Sequence, residues 1–285
     1  MSEHMPVRRF GFAYNPTTDA ALELRERVAG WCTVRGFAHW ELPAGDLDAL
    51  LAALPETDVL VVLGGDGTLL RAAQAVAIVD APIMGVNLGK VGFLSQVEAD
   101  EVETVLGQLS DGKYRLEGRM ALRGAIRPAG RRLESWSFIA LNDVVVARGA
   151  LARVVRLEVG IGRSHLATFV ADGLVVSSPT GSTGYSFSAG GPLVDPASRN
   201  LIVTPIASYL SAIRSVVVSP RRTVRITVLE AHQVLVSIDG REDREVVAGD
   251  VVTVAALERP IRFVVPFGAV PFWDLFRRKV ELLPS

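Results

Sequence analysis

The clearest hydrophobic pattern in the chain is a run of five apolar, mostly β-branched residues from Val59 to Leu63. Such a run predicts a strand that is buried on both faces, as in a parallel sheet. The run is followed by Gly64-Gly65-Asp66-Gly67-Thr68 and then by residues 69–74, whose composition predicts a helix. The segment therefore predicts a buried strand that leads through a glycine turn into a helix.

Strands and helices alternate along the first part of the chain. Residues 19–35 have apolar side chains at helical spacing and are followed by Gly36, which predicts the end of a helix. This alternation predicts a parallel sheet covered by helices, and such sheets bind ligands at the carboxyl ends of their strands. Further strands are expected at residues 7–14, 37–42 and 83–86, and further helices at residues 46–54 and 97–109.

From about Arg115 the pattern changes to short strands with nearly regular spacing and little helix. We therefore predict an α/β, Rossmann-like domain over residues 1–116 and an all-β sandwich over residues 117–265. Residues 266–285 are predicted to form a C-terminal helix that returns to the first domain. The strands of the sandwich are expected at residues 119–127, 135–148, 154–160, 166–178, 215–219, 223–229, 234–238, 251–255 and 262–265.

The glycine turn after the buried strand has the properties of a phosphate site. Glycine lets a ligand approach the backbone, and the N-terminus of the following helix presents unpaired N–H groups with partial positive charge. Two better-known motifs are absent, because Leu70 occupies the third glycine position of G-x-G-x-x-G and Val91 follows Gly89-Lys90. We assign phosphate or nucleotide binding to Gly64, Gly65, Gly67, Thr68 and Arg71.

A carboxylate inside this turn would repel a phosphate unless it performs a specific task. Asp66 could hold Mg²⁺, accept a hydrogen bond from a substrate hydroxyl or take the proton of that hydroxyl, which suggests phosphoryl transfer to an alcohol. The alternative is that Asp66 only caps the helix. A second glycine-rich loop, Asn87 to Leu94, offers Phe93 as an apolar wall for the ligand, unless it is an ordinary connection.

Three segments of the second domain are too polar for core strands. Asn142-Asp143 interrupts an apolar stretch and either reaches a pocket or marks a bulge or strand end. Asp172-Gly173 lies between two apolar runs and would otherwise be a hairpin turn. Residues 177–192 are rich in hydroxyls and glycines but lie between apolar strands, which favours a ligand-clasping loop over a simple turn.

Composition narrows the class of protein. The chain has 285 residues, 49% of them apolar, and a net charge of −1, which argues against binding to nucleic acid through electrostatics. No apolar run is long enough to span a membrane, and Cys32 is the single cysteine, so we expect a cytoplasmic protein without disulfides. The histidines lack metal-ligand spacing, and no residue is assigned directly to a metal.

Three of these segments, taken in order, closely resemble the NAD kinase family. They are the Gly64–Thr68 turn, the Asn142-Asp143 pair and the stretch from Asp172 to Pro192. The glycine turn alone is a weak signal, since diacylglycerol kinases, sphingosine kinases and phosphofructokinases carry relatives of it, whereas residues 179–192 are highly specific. The similarity spans nearly the whole chain and includes Thr204-Pro205-Ile206, Asp239-Gly240 and Phe272-Trp273-Asp274-Leu275 with Lys279.

The resemblance implies transfer of a phosphoryl group from ATP, or from polyphosphate, to the adenosine-ribose 2′-hydroxyl of NAD, with NADP as product. It implies that Asp66 orients or deprotonates this hydroxyl and that Mg²⁺ neutralises the developing charge. It also implies a site between the two domains, often shared with a neighbouring subunit of a homodimer or homotetramer.

The resemblance further assigns contacts to individual residues. Asn142 would contact the adenosine part of NAD, Asp143 the nicotinamide ribose, and Asp172 would face the nicotinamide end. The family often has Glu at the position of Asp143 and Ala at the position of Gly184, so this chain has a shorter acid and a looser loop. The remaining NAD-binding assignments are Phe93, Thr183, Gly184, Tyr185, Ser188 and Ala207.

Two other functions fit parts of the sequence. A lipid kinase of the diacylglycerol or sphingosine type would share the glycine turn, but it would need a basic or apolar membrane-facing patch, of which the near-neutral charge gives no sign. A non-catalytic dinucleotide-binding regulator would keep the clasping loop without needing Asp66.

Overall fold

The computed structural model describes residues 5–89, 92–149, 154–209, 212–230 and 233–281. Its contacts divide the chain into two compact units. The first unit comprises Met1–Gly118 with Ile261–Ser285, and the second comprises Arg119–Pro260.

The described residues form strands and helices that we number in chain order. The strands are β1 (Arg9–Tyr14), β2 (Ala38–Pro43), β3 (Val59–Leu63), β4 (Ile83–Asn87), β5 (Val97–Glu98), β6 (Tyr114–Arg119), β7 (Leu122–Arg127), β8 (Trp136–Ala140), β9 (Asp143–Arg148), β10 (Val155–Ile161), β11 (Ser164–Ala171), β12 (Gly173–Ser177), β13 (Leu201–Ile206), β14 (Val216–Val218), β15 (Val224–Glu230), β16 (Val234–Ile238), β17 (Glu242–Val246), β18 (Val251–Ala256) and β19 (Ile261–Pro266). The helices are α1 (Asp19–Arg35), α2 (Leu47–Ala53), α3 (Asp66–Val79), α4 (Val102–Ser110), α5 (Tyr185–Ser188) and α6 (Phe272–Glu281), with 3₁₀ turns at Leu54–Glu56 and Thr180–Thr183.

The first unit is built on one sheet with the strand order β2-β1-β3-β4-β19-β6, and β5 pairs with β4. The pairs formed by β1 with β2 and β3, and by β4 with β3 and β19, are all parallel. Every residue of β3 and β4 is buried, as the run of apolar residues predicts for a central strand. Because β3 and β4 are parallel neighbours, the glycine turn and the Asn87–Leu94 loop leave the same edge of the sheet.

Two helices of the first unit begin and end where the local signals place them. Helix α1 covers the predicted range, and Gly36 ends it in the left-handed conformation at φ 72°. Helix α2 is capped by Asp46, whose side chain accepts a hydrogen bond from the N–H of Ala49 at 3.1 Å. The predicted α/β character of the first unit is confirmed.

Three expectations in the first unit need correction. The helix expected at residues 97–109 begins only at Val102, because Val97 and Glu98 pair with the end of β4. The range 262–265 forms a strand, but it belongs to the sheet of the first unit, where Phe263 pairs with Ile83. The C-terminal helix begins at Phe272, after Pro271, and returns to the first unit as predicted.

The second unit contains two sheets of six strands each. Their orders are β11-β10-β15-β18-β7-β8 and β14-β13-β12-β9-β16-β17, and the recorded pairs are antiparallel. One hydrophobic core draws on both sheets, with Leu157 and Val254 from the first and Val146, Val176 and Val236 from the second. The predicted β-sandwich is confirmed.

Along the described strands β7 to β18 the chain passes from one sheet to the other six times, and two of these crossings contain predicted site residues. Strand β8 lies in the first sheet and β9 in the second, so the crossing falls at Leu141-Asn142. Strands β11 and β12 are divided in the same way, and the crossing falls at Asp172. The hairpin alternative for Asp172-Gly173 is therefore wrong, and Asn142-Asp143 marks the boundary between two strands.

Candidate active site

The glycine turn connects β3 to α3 with one packed glycine and two open ones. A Cβ on Gly64 would lie 2.5 Å from Thr68 Oγ1, so this position accommodates no side chain. A Cβ on Gly65 or Gly67 would meet nothing within 4 Å. Thr68 is buried behind Gly64, which leaves Gly65 and Gly67 as the open face of the turn.

The open face also carries unpaired backbone donors. Among the described residues, no hydrogen bond uses the N–H groups of Gly65, Asp66 or Gly67, whereas the N–H groups of Thr68 and Leu69 donate to Gly65 O at 2.9 and 3.2 Å. Unpaired donors at the start of a helix carry partial positive charge and favour anions. The geometry therefore suits a phosphate, as the sequence predicts.

Asp66 lies at the first position of α3 and does not cap that helix, since Gly65 occupies the capping position and no side chain caps it. The Asp66 carboxylate accepts hydrogen bonds from the N–H groups of Phe93 at 2.9 Å and Leu94 at 3.2 Å. A Cβ on Gly92 would lie 2.3 Å from Asp66 Oδ1. The helix-cap alternative is therefore wrong, and the Asp66 carboxylate fastens the second glycine-rich loop to the first.

Phe93 extends this connection to the C-terminal helix. Its half-buried ring lies 6.3 Å from the ring of Phe272 and 6.1 Å from that of Phe276, measured between centroids. The loop, α3 and α6 are thus joined within the first unit. Lys90 and Val91 of the same loop lie outside the described residues.

Arg71 is exposed on α3, one turn beyond Gly67. A Cβ on Gly45 would lie 4.0 Å from Arg71 Cδ, so the stem of Arg71 runs toward the loop after β2. Its assignment to phosphate binding stays a prediction.

In the second unit, the Asn142-Asp143 pair is held by the buried carboxylate of Asp239, which is not among the predicted site residues. Asp239 Oδ2 accepts a hydrogen bond from Leu141 N at 2.9 Å, and Asp239 Oδ1 accepts from Asn142 N at 2.8 Å and Asp143 N at 3.1 Å. Asp239 N donates in return to Asp143 O at 3.0 Å. The available sequence signal was Asp239-Gly240 after a strand, which indicates only a hairpin turn.

Burial perturbs the protonation of both carboxylates, and the charge of Asp239 also acts on Asp143. Burial and the nearby charge of Asp239 together raise the pKa of Asp143 to about 7, against the N–H of Tyr185, which lowers it. Burial also raises the pKa of Asp239, against the N–H groups of Leu141, Asn142 and Asp143 and the positive charge of Arg241. Asp143 therefore takes up a proton near neutral pH.

The hydroxyl-rich segment folds back on the Asn142-Asp143 turn. A Cβ on Gly181 would lie 2.1 Å from Asn142 O, so the two backbones are in direct contact. A Cβ on Gly184 would lie 3.3 Å from Gly181 O and 3.6 Å from Asp143 Oδ2. The structure thus brings the predicted residues Asn142, Asp143, Gly184 and Tyr185 together.

Three buried hydroxyls hold this segment in place through hydrogen bonds within it or to neighbouring strands. Ser178 Oγ donates to Leu141 O at 2.5 Å, and Ser182 Oγ donates to Pro179 O at 2.7 Å. Ser186 lies within hydrogen-bonding distance of Thr204, at 3.3 Å. Three residues on its outer side are predicted ligand contacts: half-buried Thr183 and exposed Tyr185 and Ser188.

Some buried polar atoms beside the turn are unpaired. Within the described ranges, Asn142 Oδ1, Ser177 Oγ and Thr180 Oγ1 have no hydrogen-bond partner. Ser177 is the partner of Asp143 in the β9–β12 ladder. The turn therefore holds unused acceptor and hydroxyl groups next to the predicted ligand contacts.

Asp172 and Ala207 form a separate group. Asp172 Oδ1 and Oδ2 lie 2.8 and 3.2 Å from Arg148 Nε and Nη2, and Asp172 N donates to Ile206 O at 3.0 Å. Ala207 follows Ile206 in the chain, is exposed and has a left-handed φ of 46°. Arg148 is therefore a charged partner of a predicted site residue, although no motif in the sequence marks it.

The two groups lie at opposite ends of one strand pair. Asp143 is opposite Ser177 at one end of the β9–β12 ladder, and Ala147 is opposite Gly173 at the other. Four residues of extended strand span about 14 Å. Asp172 is therefore well separated from Asn142 and Asp143 along the strands of one chain.

Other chemistry is limited among the described residues. No three His, Cys, Asp or Glu side chains there lie close enough together to hold a metal ion. Burial raises the pKa of Cys32 to about 12, so its thiol is not a nucleophile at neutral pH. No described helix combines the length and apolar character that crossing a bilayer requires.

Comparison with known proteins places these features in a family. The model of the ATP-NAD kinase N-terminal domain matches residues 31–114, and that of the ATP-NAD kinase C-terminal domain matches residues 141–265. The NAD kinase of Heliobacterium modesticaldum is 38% identical over 279 residues, which cover 95% of this chain and 98% of that protein. The chain belongs to the NAD kinase family. The NAD kinase of Moorella thermoacetica is 40% identical over 261 residues, which cover 91% of this chain and 79% of that protein.

Solved structures of NAD kinases and related enzymes share the fold. Yeast NADH kinase complexed with NADH has a TM-score of 0.81 at 23% identity, with 98% of this chain and 88% of that chain covered. An NAD kinase from Archaeoglobus fulgidus in complex with ATP has a TM-score of 0.77 at 24% identity, with 97% and 100% covered. These likenesses support the α/β plus β-sandwich architecture.

The family resemblance inferred from the sequence is thus confirmed, and the lipid kinase and regulator alternatives are not favoured. The roles of individual residues in this NAD kinase family member stay predictions, and they form part of the proposal that follows.

Proposed function

We propose that the protein is an NAD kinase, which transfers a phosphoryl group from ATP to the adenosine-ribose 2′-hydroxyl of NAD and forms NADP. The observation that carries this proposal is the Asp66 carboxylate at the open N-terminus of α3, in a chain that is 38% identical to an NAD kinase over 95% of its length. An anion site and a carboxylate at one place fit phosphoryl transfer to an alcohol.

Asp66 is the proposed catalytic residue. Each of its carboxylate oxygens accepts one N–H group, from Phe93 or from Leu94, and retains further lone pairs. These two hydrogen bonds orient the carboxylate and leave capacity for a sugar hydroxyl. In the proposed role, Asp66 accepts the hydrogen bond of the 2′-hydroxyl and then its proton as the phosphoryl group arrives.

The phosphates of the nucleotide are proposed to lie at the open face of the glycine turn. The unpaired N–H groups of Gly65, Asp66 and Gly67 support this placement. Gly64 and Thr68 shape the turn from behind, because Thr68 occupies the space that a side chain on Gly64 would need. Arg71, exposed one turn further along α3, is a proposed electrostatic contact.

Mg²⁺ is proposed to accompany the nucleotide. This ion is commonly held largely by substrate phosphates and water, so an ion carried by the nucleotide needs no all-protein site, and no three metal-ligating side chains lie together among the described residues. When bound, it would neutralise negative charge on the transferred group.

The second unit is proposed to bind NAD. Asn142 would contact the adenosine part, and its unpaired Oδ1 supports a polar role. Asp143 would contact the nicotinamide ribose. The adenine would lie among Thr183, Gly184, Tyr185 and Ser188, and the nicotinamide end would face Asp172. Ala207 and, in the first unit, Phe93 are further proposed NAD contacts.

A homodimer or homotetramer in the cytoplasm completes the proposal. The separation of about 14 Å between the two ends of the β9–β12 ladder supports a shared site, in which Asp172 of one subunit contacts the NAD bound at the Asn142-Asp143 turn of another. The single buried cysteine fits a reducing compartment. Size-exclusion chromatography with light scattering tests the oligomer, and a monomer that is fully active would reject the shared site.

One assay tests the reaction. Purified protein is incubated with NAD, ATP and Mg²⁺, and NADP is measured with an NADP-specific dehydrogenase. Parallel samples replace ATP by polyphosphate, NAD by NADH, or Mg²⁺ by a chelator. The proposal predicts NADP with ATP and Mg²⁺. Folded protein that binds NAD but forms no NADP would instead be the non-catalytic regulator.

A further inference from the structure

Asp239 has an unusual environment for a hairpin residue. Its side chain is 1% exposed, and its two oxygens accept three hydrogen bonds from the successive N–H groups of residues 141–143. Arg241 Nη2 lies 3.8 Å from Asp239 Oδ2. The carboxylate of the β16–β17 turn thus lies under the start of β9, where the chain crosses between the sheets.

The turn alone does not require a carboxylate. Asp239 and Gly240 both have positive φ, at 50° and 66°, and Ile238 O accepts a hydrogen bond from Arg241 N at 3.0 Å. Asparagine adopts this conformation at least as readily as aspartate. Aspartate and asparagine differ here in the hydrogen bonds of the side chain. The amide of an asparagine would direct its NH₂ group at an N–H group that now donates a hydrogen bond to Asp239.

We propose that Asp239 is a positioning residue for NAD: its carboxylate holds the backbone of residues 141–143 and so sets the directions in which the Asn142 and Asp143 side chains leave it. This inference rests on the proposed role of that turn in NAD binding. Asp239 itself is not a catalytic residue, since it acts through the backbone of the turn.

The position of Asp239 also affects the charge of Asp143. Among the described residues, the charged groups that affect the pKa values of this carboxylate pair are Asp239, which acts on Asp143, and Arg241, which acts on Asp239. The loop that covers Asp143 contributes the N–H of Tyr185. Removing the charge of Asp239 removes one cause of the raised pKa of Asp143, so that pKa falls. Any step in NAD affinity that follows the ionisation of Asp143 then moves to lower pH.

Asp239→Asn tests the proposal, and Asp250→Asn is its matched control. Asp250 is a buried carboxylate of the same unit that accepts the N–H groups of Ala129 at 2.8 Å and Val247 at 3.0 Å, in a different turn. Both variants lose a carboxylate that accepts backbone N–H groups. Only the first alters the Asn142-Asp143 turn.

The measurements are the dissociation constant of NAD by calorimetry, KM for NAD and for ATP, and the pH dependence of NAD affinity. We expect Asp239→Asn to weaken NAD binding by about tenfold or more, to leave KM for ATP nearly unchanged and to move the pH step downward. Asp250→Asn should lower the melting temperature without these changes. Equal effects of the two variants on NAD, or no effect of Asp239→Asn, would overturn the proposal.

A second variant covers failure of Asp239→Asn to fold. Asp239→Glu keeps the charge but displaces the carboxylate by one methylene, so it should weaken NAD binding while the pH step stays near that of the wild type. Wild-type affinity in Asp239→Glu would contradict the positioning role. Calorimetry needs no turnover, so if the wild type binds NAD without forming NADP, the reaction assignment fails and the role of Asp239 is still decided.

Discussion

Replacing Asp66 by Asn separates the chemical role of this carboxylate from its structural one. The substitution keeps the size of the side chain but leaves one carbonyl oxygen for the two N–H groups of Phe93 and Leu94. It also removes the ability to take a proton from a hydroxyl. The loss of stability and the loss of turnover differ in free energy, and each can be estimated from the contacts of Asp66.

The structural loss is small. One hydrogen bond to a charged group in a half-buried position contributes about 1–3 kcal/mol, and the lower end applies because solvent reaches this site. The chemical loss is larger, since removing a general base slows turnover by about 10²–10⁴-fold, or about 3–5 kcal/mol in activation free energy. We therefore expect Asp66→Asn to remain folded and to bind NAD while its kcat falls by that factor.

Asp58→Asn is the matched control. Asp58 Oδ2 accepts the N–H groups of Arg8 at 2.8 Å and Arg9 at 2.9 Å, at the amino end of β3 and away from the glycine turn. Steady-state kinetics with NAD and ATP, together with melting temperatures, compare the two variants. Asp58→Asn should lose some stability and keep its kcat. Near-normal kcat in Asp66→Asn would remove this residue from the chemistry.

Three further predictions follow from the second unit. Gly181→Ala places a Cβ 2.1 Å from Asn142 O and should lower the melting temperature and NAD affinity sharply. Gly184→Ala places a Cβ 3.3 Å from Gly181 O and should be tolerated. Equal effects of the two substitutions in thermal melts and calorimetry would contradict the packing. Because the folded-state pKa of Asp143 is about 7 against an ordinary 3.8, the wild type should lose stability relative to Asp143→Asn as the pH rises from about 4 to about 7. Urea denaturation of both proteins measures this difference, and a constant difference in their free energies of unfolding across that range would refute the prediction. Arg148→Met should raise KM for NAD through Asp172 and leave KM for ATP unchanged; an unchanged KM for NAD would separate the Arg148–Asp172 ion pair from binding.

Local patterns in the sequence predicted the elements well where the deciding interactions are short in range. Helix α1 was predicted from apolar spacing and from Gly36, both of which act within one helix. The β3–α3 segment was predicted for the same reason, since its apolar run and glycines lie next to each other. The fold class followed from the order of these elements.

The errors concern pairing across the chain. Strand β19 was predicted as a strand but assigned to the wrong sheet, because its partner β4 lies far away in sequence and alternation does not name a partner. The sequence pattern likewise does not predict the crossings at Asn142 and Asp172. A polar residue between two apolar runs is the same signal for a hairpin turn and for a connection between two sheets. Asp239 was overlooked as a site residue because its contacts to residues 141–143 are long in range.

In the proposed reaction, a carboxylate in an anion-binding turn directs phosphate to one sugar hydroxyl of NAD. Phosphorus NMR of the product formed from NAD, ATP and Mg²⁺ tests it most directly. The wild type should form a new phosphomonoester on the 2′-position of the adenosine ribose, and Asp66→Asn should form almost none in the same time. A phosphate at any other position, or equal product from the variant, would contradict it.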